Sequence, residues 1–148
     1  MEFKNNKERV LYFGKEFVSG NNLAVYEQMV AKDFVDHAIP NGTYQSMLDT
    51  FQYLRSAMPD MRVDMYRLIE EDDCVSSLKS LMGTHTGTEL FGIPATGRAM
   101  QIDLIDILRF RDGQMVENWV YNNNADIMNG LKMGTEFPNL MKEKLMGS

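Results

Sequence analysis

Apolar residues in the first third of the chain recur at helical spacing. The apolar positions of the three predicted helices are Val10, Phe13, Phe17 and Val18; Leu23, Tyr26, Met29 and Val30; and Met47, Phe51, Leu54 and Met58. The turn Gly20-Asn21-Asn22 ends the first helix, and Pro59 ends the third. We expect the second helix to run up to the pair Asp36-His37.

After Pro59 the period of the pattern shortens to two, which indicates strands. The predicted strands are 62–70, 75–86, 100–111 and 114–122, with a last short helix through Ile127, Met128 and Leu131. Asp112-Gly113 is a strong hairpin signal between the last two strands. Helices followed by a strand meander predict an α+β fold with an antiparallel sheet, in one domain over 1–148. A curved sheet wrapped by helices predicts an internal apolar cavity, with 135–148 as a tail or an extra helix.

Composition narrows the possible functions. The chain has 148 residues, a formal charge of −6 and a single cysteine, Cys74. An acidic protein without a basic cluster is a poor binder of nucleic acid, and no apolar run is long enough to span a membrane. The polar start of the chain does not resemble a secretory signal, and one cysteine cannot form an internal disulfide, so we expect a cytoplasmic protein.

Two histidines are candidates for proton transfer. His85 stands where a strand meets a glycine-rich loop, between Thr84 and Thr86, whose hydroxyls could fix its tautomer. His37 follows Asp36, a pairing that also occurs in simple capping contacts. Neither histidine has partners at metal-ligand spacing, and we find no phosphate loop or dinucleotide motif. We therefore expect no metal and no cofactor.

Two groups of motifs carry a resemblance to a known family. They are GTHTG (83–87) followed by GIPATGR (92–98), and Asp112-Gly113 followed by Glu117 and Trp119. The chain resembles the SnoaL-like polyketide cyclases over residues 6–134. This resemblance implies a cone-shaped barrel, a homodimer, and cofactor-free acid/base chemistry on a small polyketide-like or aromatic carbonyl compound. It also implies that His37 faces the mouth of the pocket and that His85 lines the cavity or organises its rim.

The chain departs from the family at one position. The family places its catalytic aspartate four residues after the tryptophan, where this chain has Asn123, and an amide cannot accept that proton. Asp126 is one candidate replacement, and Asp106, on the same strand face as apolar residues, is another. The alternative is that Asp103 or Asp106 is solvent-exposed and that the other pairs with Arg109 or Arg98.

The candidate catalytic residues are therefore His85, His37, Asp126 and Asp106. The candidate ligand-binding residues are Asn123, Tyr121, Trp119, Phe51, Met47, Leu54 and Thr84. We expect the partner to be a small apolar or aromatic molecule. A second hypothesis keeps the same cavity but makes the protein a binder without catalysis, since Asn123 supplies hydrogen bonds and no proton transfer.

Overall fold

The computed structural model describes residues 2–122, which form three helices and a curved six-stranded sheet. The helices are α1 (Asn6–Phe13), which continues directly as the π-helical segment Gly14–Ser19, α2 (Leu23–Met29) and α3 (Tyr44–Ala57). The strands are β1 (Val30–Asp36), β2 (Gly42–Thr43), β3 (Arg62–Glu71), β4 (Cys74–Thr84), β5 (Ala99–Arg111) and β6 (Gln114–Asn122). The predicted last helix and the tail 135–148 lie outside the described residues.

The sheet is mixed and does not close into a full barrel. Its strand order is β2-β1-β6-β5-β4-β3, and the four strands β3 to β6 form the antiparallel meander that the sequence predicts. Strand β1 differs, because it pairs in parallel with β6. The α+β fold with helices against a curved sheet is thus confirmed, and the sheet is mixed rather than purely antiparallel.

The prediction that the second helix reaches His37 is wrong. The helix ends at Met29, because Val30 already has extended backbone angles of φ −109° and ψ 123°. Val30 and Phe34 are buried in β1 while Lys32 is exposed, and β-branched residues such as Val30 favour this pleated setting. His37 therefore follows a strand of the sheet.

Local signals explain where the helices begin and end. The side chain of Asn5 accepts a hydrogen bond from the backbone N–H of Glu8 and caps α1. Thr43 and Ser46 form a reciprocal capping box at the start of α3, which ends before Pro59 as predicted. Within the described residues, no helix is long and apolar enough to cross a membrane.

The two faces of the sheet differ sharply along β5. Its even-numbered residues are buried in the core with the helices: Met100, Ile102, Leu104, Asp106, Leu108 and Phe110. We call this the inner face of the sheet. The odd-numbered Ile105 and Ile107 are about two-fifths exposed and belong to the opposite, outer face. The internal cavity expected between the helices and the inner face stays a prediction.

Candidate functional site

A buried ion pair lies on the inner face of the sheet. The Nζ atom of Lys79, on β4, lies 2.7 Å from Oδ2 of Asp106, on β5. The Oγ atom of Ser77 donates a hydrogen bond to the other carboxylate oxygen, Oδ1. Ser77 is directly opposite Asp106 in the antiparallel ladder, and Lys79 is two residues further along β4. Both oxygens of Asp106 are thus held by side chains of the neighbouring strand.

This polar cluster has apolar cross-strand neighbours. Lys79 is paired in the ladder with Met65 on β3 and Leu104 on β5, and Asp106 is paired with Val120 on β6. Taking two charges out of water costs several kcal/mol per ion. An apolar pair of similar size at these two buried positions would stabilise the fold at least as well. Residues that break the rules of core packing in this way are candidates for function.

Asn118 adds a second polar group to the same face. It is buried, pairs across the ladder with Leu108, and its Nδ2 atom lies 3.9 Å from the sulfur of Met47 on α3. Its Oδ1 atom is buried and has no hydrogen-bond partner among the described residues. A buried carbonyl without a donor is costly, so Asn118 offers a ready acceptor to a ligand.

His85 holds the glycine-rich loop in place. Its ring is fully buried, with Nε2 3.0 Å from the carbonyl oxygen of Thr88 and Nδ1 3.2 Å from the hydroxyl of Thr96. Since a carbonyl can only accept, Nε2 carries the proton, and Nδ1 accepts from the backbone N–H of Thr96 at 3.3 Å. The backbone of His85 also bonds that of Gly97 and Arg98. Both ring nitrogens are therefore occupied by the loop, whose position the histidine organises.

His37 lies on the outer face of the sheet, on the opposite side from Asp106. Its Nε2 atom is 2.8 Å from Oε2 of Glu117, and its ring stacks on Trp119 at a centroid distance of 4.9 Å. The Nε atom of Arg109 donates to Oε1 of Glu117 at 2.6 Å. The hydrogen bonds from His37 and then from Arg109 lower the pKa of Glu117. The expectation that His37 faces the mouth of the internal pocket stays a prediction, as does the pocket itself.

The other candidate residues fall into three places. On α3, Met47 and Leu54 are buried in the core, and Phe51 packs edge-on against Phe17 at 5.3 Å. Thr84 donates its backbone N–H and its hydroxyl to the carboxylate of Asp60, whose pKa is lowered by these bonds. The outer face carries Trp119 and Tyr121, as the ladder partners of Ile107 and Ile105. Asn123 and Asp126 lie outside the described residues, so their roles stay predictions.

The two aspartates of β5 separate as the two-residue period predicts. Asp106 is on the inner face, whereas Asp103 accepts hydrogen bonds from Ser80 at 2.6 Å and Gln101 at 2.9 Å. Asp106 pairs with Lys79, so the alternative in which Asp106 pairs with Arg109 or Arg98 does not hold. The sequence pattern did not identify Lys79 as buried. Polar residues occur on both faces of β4, so no alternation of apolar and polar residues marks the buried face of this strand.

Comparison with known proteins places the chain in a family. The SnoaL-like polyketide cyclase family matches residues 8–131. The chain belongs to this family. The match spans most of the chain, so the predicted family membership is confirmed, and it extends through both the inner-face cluster and the His85 loop. A search of curated proteins gave no significant match.

Solved structures share the fold at low sequence identity. IdmH from Streptomyces antibioticus, a candidate polyketide cyclase, is 23% identical with a TM-score of 0.75, over 85% of this chain and 97% of that chain. AclR from Streptomyces galilaeus, a candidate hydroxylase, is 22% identical with a TM-score of 0.78, over 95% and 89%. A candidate polyketide cyclase from Acidithiobacillus ferrooxidans is 20% identical with a TM-score of 0.76, over 90% and 99%. These likenesses concern the fold alone.

Proposed function

We propose that this SnoaL-like protein binds a small aromatic or polyketide-like carbonyl compound against the inner face of its sheet and performs cofactor-free cyclase or isomerase chemistry on it. The observation that carries the proposal is the buried cluster of Ser77, Lys79 and Asp106. It places a carboxylate and an ammonium group side by side on an apolar wall, and the family position for the acid is Asn123 in this chain.

Each member of the cluster has a distinct role in the proposed reaction. The carboxylate of Asp106 takes a proton from the carbon next to the substrate carbonyl, and the electron pair moves onto the carbonyl oxygen. The ammonium group of Lys79 stabilises the enolate oxygen that forms, at a site from which water is largely excluded. Ser77 holds Asp106 in place through its hydrogen bond. Return of the proton from Asp106 to carbon completes an isomerisation, and attack of the enolate on a second carbonyl closes a ring.

A non-catalytic binder is the second candidate function. It is favoured by Asn118, whose buried oxygen has no partner in the described part of the chain and can accept a hydrogen bond from a ligand hydroxyl but cannot move a proton. The contact of Asn118 with Met47 brings a flexible apolar side chain beside that oxygen. In this case Lys79 and Asp106 orient the ligand without reacting with it.

We also propose that the protein forms a homodimer through the outer face of the sheet. One ladder row on this face contains Ile69, Ile107 and Trp119, and the next contains Ile105 and Tyr121. Ile69 is 58% exposed and Tyr121 is 79% exposed. Ser76 lies between Ile69 and Ile107 in the first row, but a group of exposed apolar side chains of this kind is typical of an interface, and a second copy of the chain would bury the same residues on both sides. The single Cys74 fits a reducing compartment, and we propose the cytoplasm.

The acid/base proposal is tested with α-tetralone, a bicyclic aryl ketone. Exchange of its α-protons for deuterium in D₂O is followed by NMR with wild-type protein, Asp106→Asn and Asp103→Asn. Both substitutions remove one carboxylate from β5, on the inner and the outer face respectively. We expect wild type and Asp103→Asn to accelerate the exchange over the rate without protein. The rate with Asp106→Asn should be lower than the wild-type rate by about a hundredfold or more.

The binder hypothesis gives a different result in the same experiment. Saturable binding of α-tetralone without exchange in wild type would favour it over catalysis. Equal exchange rates for Asp106→Asn and wild type would show that Asp106 is not the base. Unfolding curves of both variants exclude loss of the fold as the cause.

A further inference from the structure

A groove separate from the inner-face cluster opens at one end of strands β3, β4 and β5. Its volume is about 600 Å³, within the range of small-molecule sites. The residues that line it are Arg62, Met82, Gly83, Thr84, Arg98, Ala99, Met100 and Gln101. Arg62, Met82 and Gln101 form one row of the ladder, with Thr84 opposite Ala99. The groove is thus built on rigid strands.

The groove is positively charged although the whole chain is acidic. Its described lining contains two arginines and no acidic side chain, whereas the net charge of the protein is −6. Among the described residues, neither Arg62 nor Arg98 takes part in an ion pair. The Nε atom of Arg98 is buried and has no hydrogen-bond partner there. A buried guanidinium donor without an acceptor is costly and suits an anionic ligand.

Two acidic side chains near the groove accept hydrogen bonds from its lining residues, and the charge of Arg62 also acts on one of them, Asp60. Asp60 accepts both the backbone N–H and the hydroxyl of Thr84, and Asp103 accepts the side chain of Gln101. The rest of the lining is mixed: Thr84 and Gln101 are polar, and Met82, Ala99 and Met100 supply an apolar part, with Met82 between Arg62 and Gln101 in the ladder. The groove therefore has a positively charged part beside an apolar part, which is the arrangement that an amphipathic anion requires.

We propose that this groove binds a small organic anion, with its carboxylate or phosphate group on Arg98 and Arg62 and its apolar body against Met82. A guanidinium presents a planar fork of N–H donors that fits both kinds of anionic group. The site is distinct from the Lys79–Asp106 pair, because neither residue is in the lining, and Met82 and Gln101 lie on the outer face whereas Asp106 lies on the inner face. The proposal therefore does not depend on the reaction proposed above.

The test uses octanoate, octyl phosphate and octanol as probes for the full chain at low ionic strength. Binding is followed by calorimetry and by the NMR signals of the arginine Nε–H groups. We expect saturable binding of at least one anion with a shift of the Arg98 signal, and no binding of octanol. Arg98→Gln and Arg62→Gln should each weaken the binding, by about tenfold or more for Arg98→Gln. Arg67→Gln is the charge-matched control, because Arg67 is an exposed arginine of β3 outside the groove.

Four results would overturn the proposal. The first is that neither anion binds, and the second is that octanol binds as well as octanoate. The third is that Arg67→Gln weakens binding as much as Arg98→Gln, which would indicate a general charge effect. Arg62→Gln, at an exposed position, keeps the test valid if Arg98→Gln does not fold. A change of the molecular mass in solution with Arg98→Gln and unchanged anion binding would assign the guanidinium to a contact between chains and contradict the proposal.

Discussion

Lys79 and Asp106 form an ion pair across strands β4 and β5, with Nζ and Oδ2 2.7 Å apart on the buried inner face of the sheet. Their side chains are only 11% and 7% exposed, so water screens the pair weakly. Ser77 completes the set by donating to the free oxygen of Asp106. Such a pair orients its groups well, and its cost in solvation is the reason to look for a function.

The energetic signature of this pair is testable by a double-mutant cycle. Removing one charge, in Lys79→Met or Asp106→Leu, leaves the other buried without its partner and should cost about 3–5 kcal/mol of unfolding free energy. The double variant should cost far less than the sum, because both charges are gone. Urea unfolding of all four proteins measures this coupling.

The exposed pair Arg111–Asp33, at 2.8 Å, is the control for that cycle. Arg111→Met should change the unfolding free energy little, since solvent screens this pair. Additive effects of the two substitutions at Lys79 and Asp106 would contradict the description of the pair as a coupled buried unit.

Loss of His85 should loosen the glycine-rich loop. In His85→Leu the carbonyl of Thr88 and the N–H of Thr96 lose their partner, which should cost about 1–3 kcal/mol. Amide hydrogen exchange should quicken at Thr96 and Gly97, whose N–H groups bond the ring and the backbone of His85. Thr86→Ala, at an exposed neighbour, should leave the exchange unchanged. Equal exchange in His85→Leu and wild type would show that the ring does not hold the loop.

The sequence predicts what depends on local pattern and misses what depends on distant pairing. Helix α3 and the hairpin at Asp112-Gly113 follow from apolar spacing and turn residues, and the structure confirms both, with positive φ at Asp112 and Gly113. Strand β1 was missed because its partner β6 lies some eighty residues away, and the apolar series of α2 continues into Val30.

The same distinction applies to the candidate site. The burial of Asp106 follows from its apolar neighbours Leu104 and Leu108 on the same face of β5. For Trp119 the two-residue period shows which residues share its face, but only the packing of the helices decides that this face is the outer one. Lys79 lies in a strand with serines on both faces, so no period identifies it as buried.

Glu117 should contribute to the pH dependence of stability. Its pKa in the folded protein is lowered from the ordinary value of 4.5, first by the hydrogen bond from His37 and then by that from Arg109. The stabilisation is therefore present above about pH 4.5 and is lost as the pH falls through the folded-state pKa. In Glu117→Gln the drop in unfolding free energy between pH 6 and pH 3 should be smaller, by about 0.2–1 kcal/mol for such a partly exposed pair. Urea unfolding at several pH values measures this drop, and identical profiles for both proteins would contradict the assignment.

A charge on the outer face should separate the proposed dimer. Ile107 lies between Ser76 and Trp119 in one ladder row and is 41% exposed. Ile107→Lys should halve the molecular mass measured by light scattering while changing the monomer fold little, since the position faces away from the core. Leu11→Lys, at a half-exposed position of α1, is the control and should keep the mass of wild type. A wild-type protein that is already monomeric would contradict the dimer proposal.

The place where a carbonyl ligand binds tests the central claim most directly. The measurement is a set of intermolecular NOEs between α-tetralone and the methyl groups of β5. Our account predicts NOEs to Leu104 and Leu108, which flank Asp106 on the inner face. NOEs confined to Ile105 and Ile107, the exposed residues of the outer face on the same strand, would contradict it.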